Sequence, residues 1–370
     1  VPPRNLSCLS FAQDRQEMVQ VMYLVAHPET QMTPPGVPAS PRVPASAGVS
    51  TAPFLAMNGW SLLAYILSAL VICYTATGAY GKTNQQIGDT FPTLLTPAGW
   101  TFNIWGPILL WEGLFAVVQM LPLLRGSAVV QVLTPWWLTT CFLQVLWQIA
   151  FSHLTFDIAI FFKLGIFGSL LALCLTADNL RPTGAEYWLC RAPFSLHLGW
   201  VIMGTAVNIS TAAEERLWTS TTIITLTITA LAYALTIATL LSVCRPEADP
   251  IISLPLAWGF LGIWSKLDTM LRAGEEFMQA LPEPNGRNPY GWDEVVLNGF
   301  KHAALFLSIS CLFLSITCAV LRLMGVTLCG GKRRALTMGE ADDSTGRFIP
   351  MERVHGPRVL ESPGHVAFDK

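Results

Sequence analysis

Residues 60–80 read WSLLAYILSALVICYTATGAY, a stretch with no charged side chain and no histidine. Wound as an α-helix it rises about 31 Å, at about 1.5 Å per residue, enough to cross the roughly 30 Å hydrocarbon core of a bilayer. Its apolar residues are continuous rather than alternating, which favours a helix over a barrel strand. Similar runs recur down the chain. Trp100–Leu121 is interrupted only by Glu112, Ala128–Phe151 is uncharged, Ile158–Leu175 contains Lys163, and Pro193–Ala213 contains His197. Trp218–Cys244 is rich in threonine, Ile251–Trp264 is short for a span, and Ala303–Leu321 is the last. Only helices and closed barrels satisfy every backbone polar group in lipid. The expected fold is therefore an all-α, multi-pass membrane protein with about eight transmembrane helices.

Composition supports that reading across the whole chain. Of 370 residues, 52% are hydrophobic and only 12% charged, where a soluble domain carries about 25% charge. So few charges cannot cover a water-facing surface, and the lipid bilayer becomes the expected partner. A net charge of −2 leaves no electrostatic footprint for nucleic acid. There are nine cysteines, but no C-x-x-C pair or His/Cys cluster has metal spacing. Cys73, Cys141, Cys174, Cys311 and Cys318 lie within apolar runs and read as small apolar fillers.

Outside the runs the character changes. Residues 1–57 form a tail rich in Pro, Ser, Ala and Thr between Pro28 and Pro53, without apolar periodicity. Residues 326–370 form a polar tail that carries Lys332-Arg333-Arg334. In the stretch 266–281, Leu267, Met270, Leu271, Phe277, Met278 and Leu281 share one helical face opposite Asp268, Arg272, Glu275 and Glu276. That pattern predicts an amphipathic helix at the membrane interface. With eight spans, Arg42, Arg125, Arg181, Arg191 and Arg245 collect with Arg322 and the basic cluster on one side. The short loops opposite carry only Lys82 and Arg216, and the long 265–302 segment departs from the bias. The bias favours an even number of spans, with both tails on the cytoplasmic side or its equivalent.

No catalytic signature is present: there is no G-x-S-x-G, no H-E-x-x-H and no G-x-x-x-x-G-K-[ST] loop. The expectation is a protein that is not an enzyme. What the chain does carry is tryptophan. Trp60, Trp188, Trp218 and Trp264 sit near span ends, where an interfacial belt explains them. Trp105, Trp111, Trp147 and Trp200 lie within spans. There each indole offers either ordinary helix packing or a flat apolar wall with one N–H donor. The polar groups inside spans are Asn103, Glu112, Gln144, Gln148, Lys163, His197 and Asn208, each costly unless partnered or facing a cavity. Glu112 can pair with Lys163 or His197, Lys163 can also snorkel to the interface, and Gln144 and Asn208 suit hydrogen bonds between helices.

Three segments together resemble the tryptophan-rich sensory protein family, also known as TspO, translocator protein or peripheral-type benzodiazepine receptor. Thr96-Pro97-Ala98-Gly99-Trp100-Thr101-Phe102-Asn103-Ile104-Trp105-Gly106-Pro107 is similar to its Pro/Trp-rich entry to helix two. Leu143-Gln144-Val145-Leu146-Trp147 is similar to its L-N-x-x-W element. Pro193-Phe194 and Trp200-Val201-Ile202-Met203-Gly204-Thr205-Ala206-Val207-Asn208 are similar to its W-V-x-x-A-T-x-x-N element. Gln144 stands where the family has asparagine, Gly204 where it has alanine, and Trp100 and Trp105 are one residue closer than in short members. Leu256-Ala257-Trp258-Gly259-Phe260-Leu261-Gly262-Ile263 is similar to a W-A-x-x-G-I element of longer members.

The resemblance implies a five-helix bundle over 58–213, followed by further transmembrane helices over 214–325. It implies a cavity capped by the first loop, between Tyr80–Leu95 and the helices below, that takes porphyrins, sterols or similar ligands. The expected function is an integral membrane binding or sensory protein for a flat hydrophobic small molecule such as a tetrapyrrole, with no certain cofactor and no metal. The expected ligand-binding residues are Trp100, Trp105, Trp111, Gln144, Trp147, His197, Trp200 and Asn208. A small-molecule transporter is the alternative, with Pro107, Pro135 and Pro193 as candidate helix breaks. A homodimer is compatible with either.

Overall fold

The computed structural model describes residues 52–121, 124, 127–180, 182, 184–280 and 292–326, with side chains described from 57 onward except 275–280. The tails up to residue 51 and from residue 327 lie outside these, as do Arg42, Arg125, Arg181, Arg287 and the Lys332–Arg334 cluster. The described helices are α1 (Ala52–Ala76), α2 (Asn84–Thr90), α3 (Trp105–Val118), α4 (Ala128–Ser152), α5 (Phe156–Asn179), α6 (Ala192–Glu215), α7 (Ser220–Val243), α8 (Ser253–Ala280) and α9 (Glu294–Leu323). A 3₁₀ turn over Gly99–Ile104 leads into α3, and a π turn over Tyr187–Arg191 leads into α6.

Seven of these helices, all but α2 and α8, are long and apolar enough to cross a membrane. The protein is an integral, multi-pass, all-α membrane protein. Its outer faces show why lipid must surround it. On α1, Leu63, Leu67, Leu70 and Tyr74 are exposed, and on α9, Phe306, Ile309, Phe313, Ile316 and Val320 are exposed at helical spacing. The inner helix is α6, where every residue from Ala192 to Met203 is buried.

The short Ile251–Trp264 run and the amphipathic stretch after it are not two elements. They form one helix, α8, because no glycine or proline separates Trp264 from Lys266. Leu256, Phe260, Ile263, Leu267, Met270 and Leu271 are buried in sequence along it. The face expected to meet the interface is, as far as Leu271, turned into protein. Its charged second half keeps α8 out of the seven apolar spans, yet its 28 residues run between the two ends of the bundle.

Contacts at each end define that arrangement. At one end Asn58 Nδ2 donates to Gln119 O (2.9 Å), and Ser127 Oγ donates to Glu186 Oε1 (2.9 Å). Also at that end, Arg191 pairs with Asp178 (2.8 Å) and Asp249 (3.1 Å), and Arg245 with Asp178 (3.1 Å). Asp249 further accepts from Ser195 Oγ (2.6 Å) and Tyr187 Oη (3.1 Å), and Arg322 pairs with Glu247 (2.9 Å). At the other end Lys82 N donates to Ser152 O (3.2 Å), and Arg216 pairs with Asp157. Lys266 pairs with Asp89 (2.7 Å), and Lys301 with Asp268 (3.0 Å), at that same end. Eight helices thus alternate between two ends, and Asn58 and Arg322 lie at the same one.

Lipid offers apolar side chains as good an environment as the bundle does, so the helices associate through close packing and polar contacts. Glycine supplies the closest approach. A Cβ on Gly199 of α6 would sit 2.2 Å from Ile252 O, and one on Gly262 of α8 would sit 2.0 Å from Thr101 Oγ1. Trp258 Nε1 donates to Thr101 O (2.8 Å) beside that second contact. The W-A-x-x-G-I-like element therefore packs against the Pro/Trp-rich entry to α3.

A candidate ligand cavity beneath the first loop

The first loop is built to stay folded over the end of the bundle. Thr83 caps α2 by accepting from Gln86 N, and Gln86 Oε1 accepts in turn from Thr83 N (2.9 Å). Ile87, Leu94 and Leu95 are buried, which pins the loop down. Beneath it lies a slot between α2, the entry to α3, α4, α5 and α6. Asn84, Ile87 and Gly88 form its roof; Phe102 and Trp105 form one wall; Trp147 and Phe151 of α4 form another. The floor is a single face of α6, on which Trp200, Gly204, Val207 and Thr211 recur at i, i+4, i+7 and i+11. Asn208 borders the same face.

The walls are aromatic. Trp147 stacks on Phe151 with centroids 5.3 Å apart, and Phe102 meets Trp200 edge-on at 6.1 Å. The space between them is narrow, most of it too tight for the centre of a water molecule. A more open recess of about 1040 Å³ lies across Asn84, Phe102 and Trp105, which border both. Lys163 of α5 does not snorkel. It is 1% exposed, and its Nζ lies 3.3 Å from the centre of the Trp147 ring, in the slot wall.

The eight expected ligand residues divide. Trp105, Trp147, Trp200 and Asn208, from three helices, border this slot. His197 stands behind it, edge-on to Trp105 at 5.5 Å, with Nδ1 2.8 Å from Glu112 Oε1. Gln144 is buried with neither amide atom partnered, and it does not border the slot. Trp100 and Trp111 serve as braces elsewhere. Trp100 packs edge-on against Trp258 at 4.8 Å. Trp111 stacks on Trp188 at 6.2 Å and donates to its carbonyl (2.9 Å). Reading the chain for tryptophan alone misses Phe102, Phe151, Met203 and Gly204, which complete the walls. One signal for Phe151 was its position a single turn after Trp147.

None of the three candidate break prolines interrupts its α-helix, although the 3₁₀ turn precedes Pro107 and the π turn precedes Pro193. Pro107 lies in the first turn of α3 and Pro193 in that of α6, where a missing N–H costs nothing. Pro135 sits inside a continuous α4. Among the described residues no three His, Cys, Asp or Glu side chains group as metal ligands.

A family model described as "TSPO-like protein" matches residues 58–274, from the first span through most of α8. No curated protein and no solved structure matches the chain.

Proposed function

The chain belongs to the TSPO-like family, and from that premise we propose that it is a binding or sensory protein whose aromatic slot holds a flat hydrophobic ligand such as a tetrapyrrole or sterol. Family membership supports, at its coarsest, a membrane protein of the binding, sensory or transport type. The finer reading rests on one observation: Trp105, Trp147 and Trp200, far apart in the chain, border a single slot beneath a capped loop. Flat indole and phenyl faces suit a flat partner, because stacked rings gain dispersion and bury apolar area together. The slot as it stands is too tight for a tetrapyrrole. Phe102 and Trp105, shared with the open recess, are the walls that must part to admit one.

We read the protein as a binder and not an enzyme. Titrating protoporphyrin into the purified protein while following tryptophan fluorescence tests this. Saturable quenching is expected, and its loss in a variant with Trp105, Trp147 and Trp200 all changed to phenylalanine. Non-saturable quenching, or equal saturation in the triple variant, counts against the reading.

Transport is the second reading, carried by the buried Glu112–His197 pair between two spans. Liposomes reconstituted with the wild type and with Glu112→Gln separate the two. A binder shows no ligand flux in either, whereas a transporter shows flux that the substitution alters.

A further inference from the structure

Among the described residues Lys163 is the one ionisable side chain bordering the slot. Among the described residues no carboxylate lies within ion-pair distance of its ammonium; the contact the structure gives it is the face of Trp147. Glu112, the acid buried in a neighbouring span, is taken by His197. An ammonium held in an apolar wall is costly, and a ring face offsets only part of the lost hydration.

The neutral groups around it lean the same way. Trp105 Nε1, Trp147 Nε1 and Asn208 Nδ2 belong to residues that border the slot, and all three are buried donors without an acceptor. Among the described residues, then, three N–H donors without acceptors and one lysine amine belong to residues around a single slot. Gly204 faces the amine, and the missing side chain leaves a gap that a single Cβ would close, at 3.5 Å from Nζ.

We propose that Lys163 makes this slot selective for hydrophobic ligands that carry a carboxylate. The inference rests on the binding reading above and names the class of ligand. A carboxylate supplies one negative charge and acceptor oxygens, enough for one ammonium and the unpaired N–H groups. A phosphate monoester brings more charge than a single lysine offsets, and a neutral ligand leaves the ammonium uncompensated.

The test uses a matched pair of flat probes, 1-pyrenebutanoate and its methyl ester, binding to the full chain in detergent. Energy transfer from tryptophan to pyrene reports the binding. The wild type should prefer the acid by about tenfold or more. Lys163→Met should abolish that preference, weakening the acid about tenfold more than the ester, and Lys163→Arg should retain it. Ester binding by the Met variant shows that the slot still folds. Equal binding of acid and ester by the wild type, or an acid preference that survives Lys163→Met, overturns the inference and leaves the binding reading standing. Failure of both probes to bind the wild type overturns both.

Discussion

His197 of α6 and Glu112 of α3 meet 2.8 Å apart, with both side chains almost fully buried. Trp105, which borders the slot, rests edge-on against the same imidazole. The pair therefore fixes the backing of one slot wall. Loss of one partner from a buried hydrogen bond costs about 1–3 kcal/mol, because the other is left unsatisfied. Glu112→Ala and His197→Ala should each lower the thermal midpoint in detergent by that measure. In the double variant the second change should cost clearly less than it does alone. Strict additivity would show that the two do not interact.

A sharper loss is expected at Arg191. It is fully buried and pairs with Asp178 and Asp249, tying α5 and the start of α6 to the segment before α8. Arg191→Met leaves Asp178 to Arg245 and takes from the buried Asp249 its cation, and should destabilise by about 3–5 kcal/mol. The Arg216–Asp157 pair is largely exposed, so Asp157→Ala should cost no more than about 1 kcal/mol. Comparable losses from the two substitutions would contradict this ranking.

Close packing between α6 and α8 gives a third expectation. Gly199→Ala drives a Cβ into Ile252 O and should cost at least about 1–3 kcal/mol. Gly168 on the exposed face of α5 has nothing within 4 Å of its Cβ position. Gly168→Ala should be neutral, or stabilising by up to about 1 kcal/mol through helix propensity. Melting curves of the two variants decide it, and a Gly199→Ala protein as stable as the wild type would refute the close contact.

Run length and missing charge were enough to read the helices, because lipid admits so few alternatives. The fate of each tryptophan was not legible. Trp105 and Trp111 lie in one run, yet Trp105 borders the slot while Trp111 stacks on Trp188. The difference depends on which neighbour each helix face meets, and that is not local information. Asn208 and Gln144 have a similar standing in sequence, but only Asn208 lies on the α6 face that forms the floor. The split drawn at Ser265 failed for another reason. A change from apolar to amphipathic pattern marks a change of surroundings and does not mark a helix end unless a breaker accompanies it.

The alternation of eight helices between two ends predicts a topology. Cysteines introduced at Leu121 and Met324, in a background without native cysteines, should label from one side of the membrane. A cysteine at Leu217, which is 87% exposed, should label from the other. Opposite-sided labelling of Leu121 and Met324 would mean that α8 does not cross.

The slot itself can be tested without touching any fluorophore. Gly204 borders it on α6, where an added Cβ would already touch Lys163 Nζ at 3.5 Å, so Gly204→Leu fills the slot without replacing any tryptophan. Protoporphyrin affinity should fall by about tenfold or more, with a stability cost of about 1–3 kcal/mol from overpacking that leaves the protein folded. Gly168→Leu, on the lipid-facing side of α5, should bind as the wild type does. Unchanged affinity in a folded Gly204→Leu protein would place the ligand elsewhere and contradict the account.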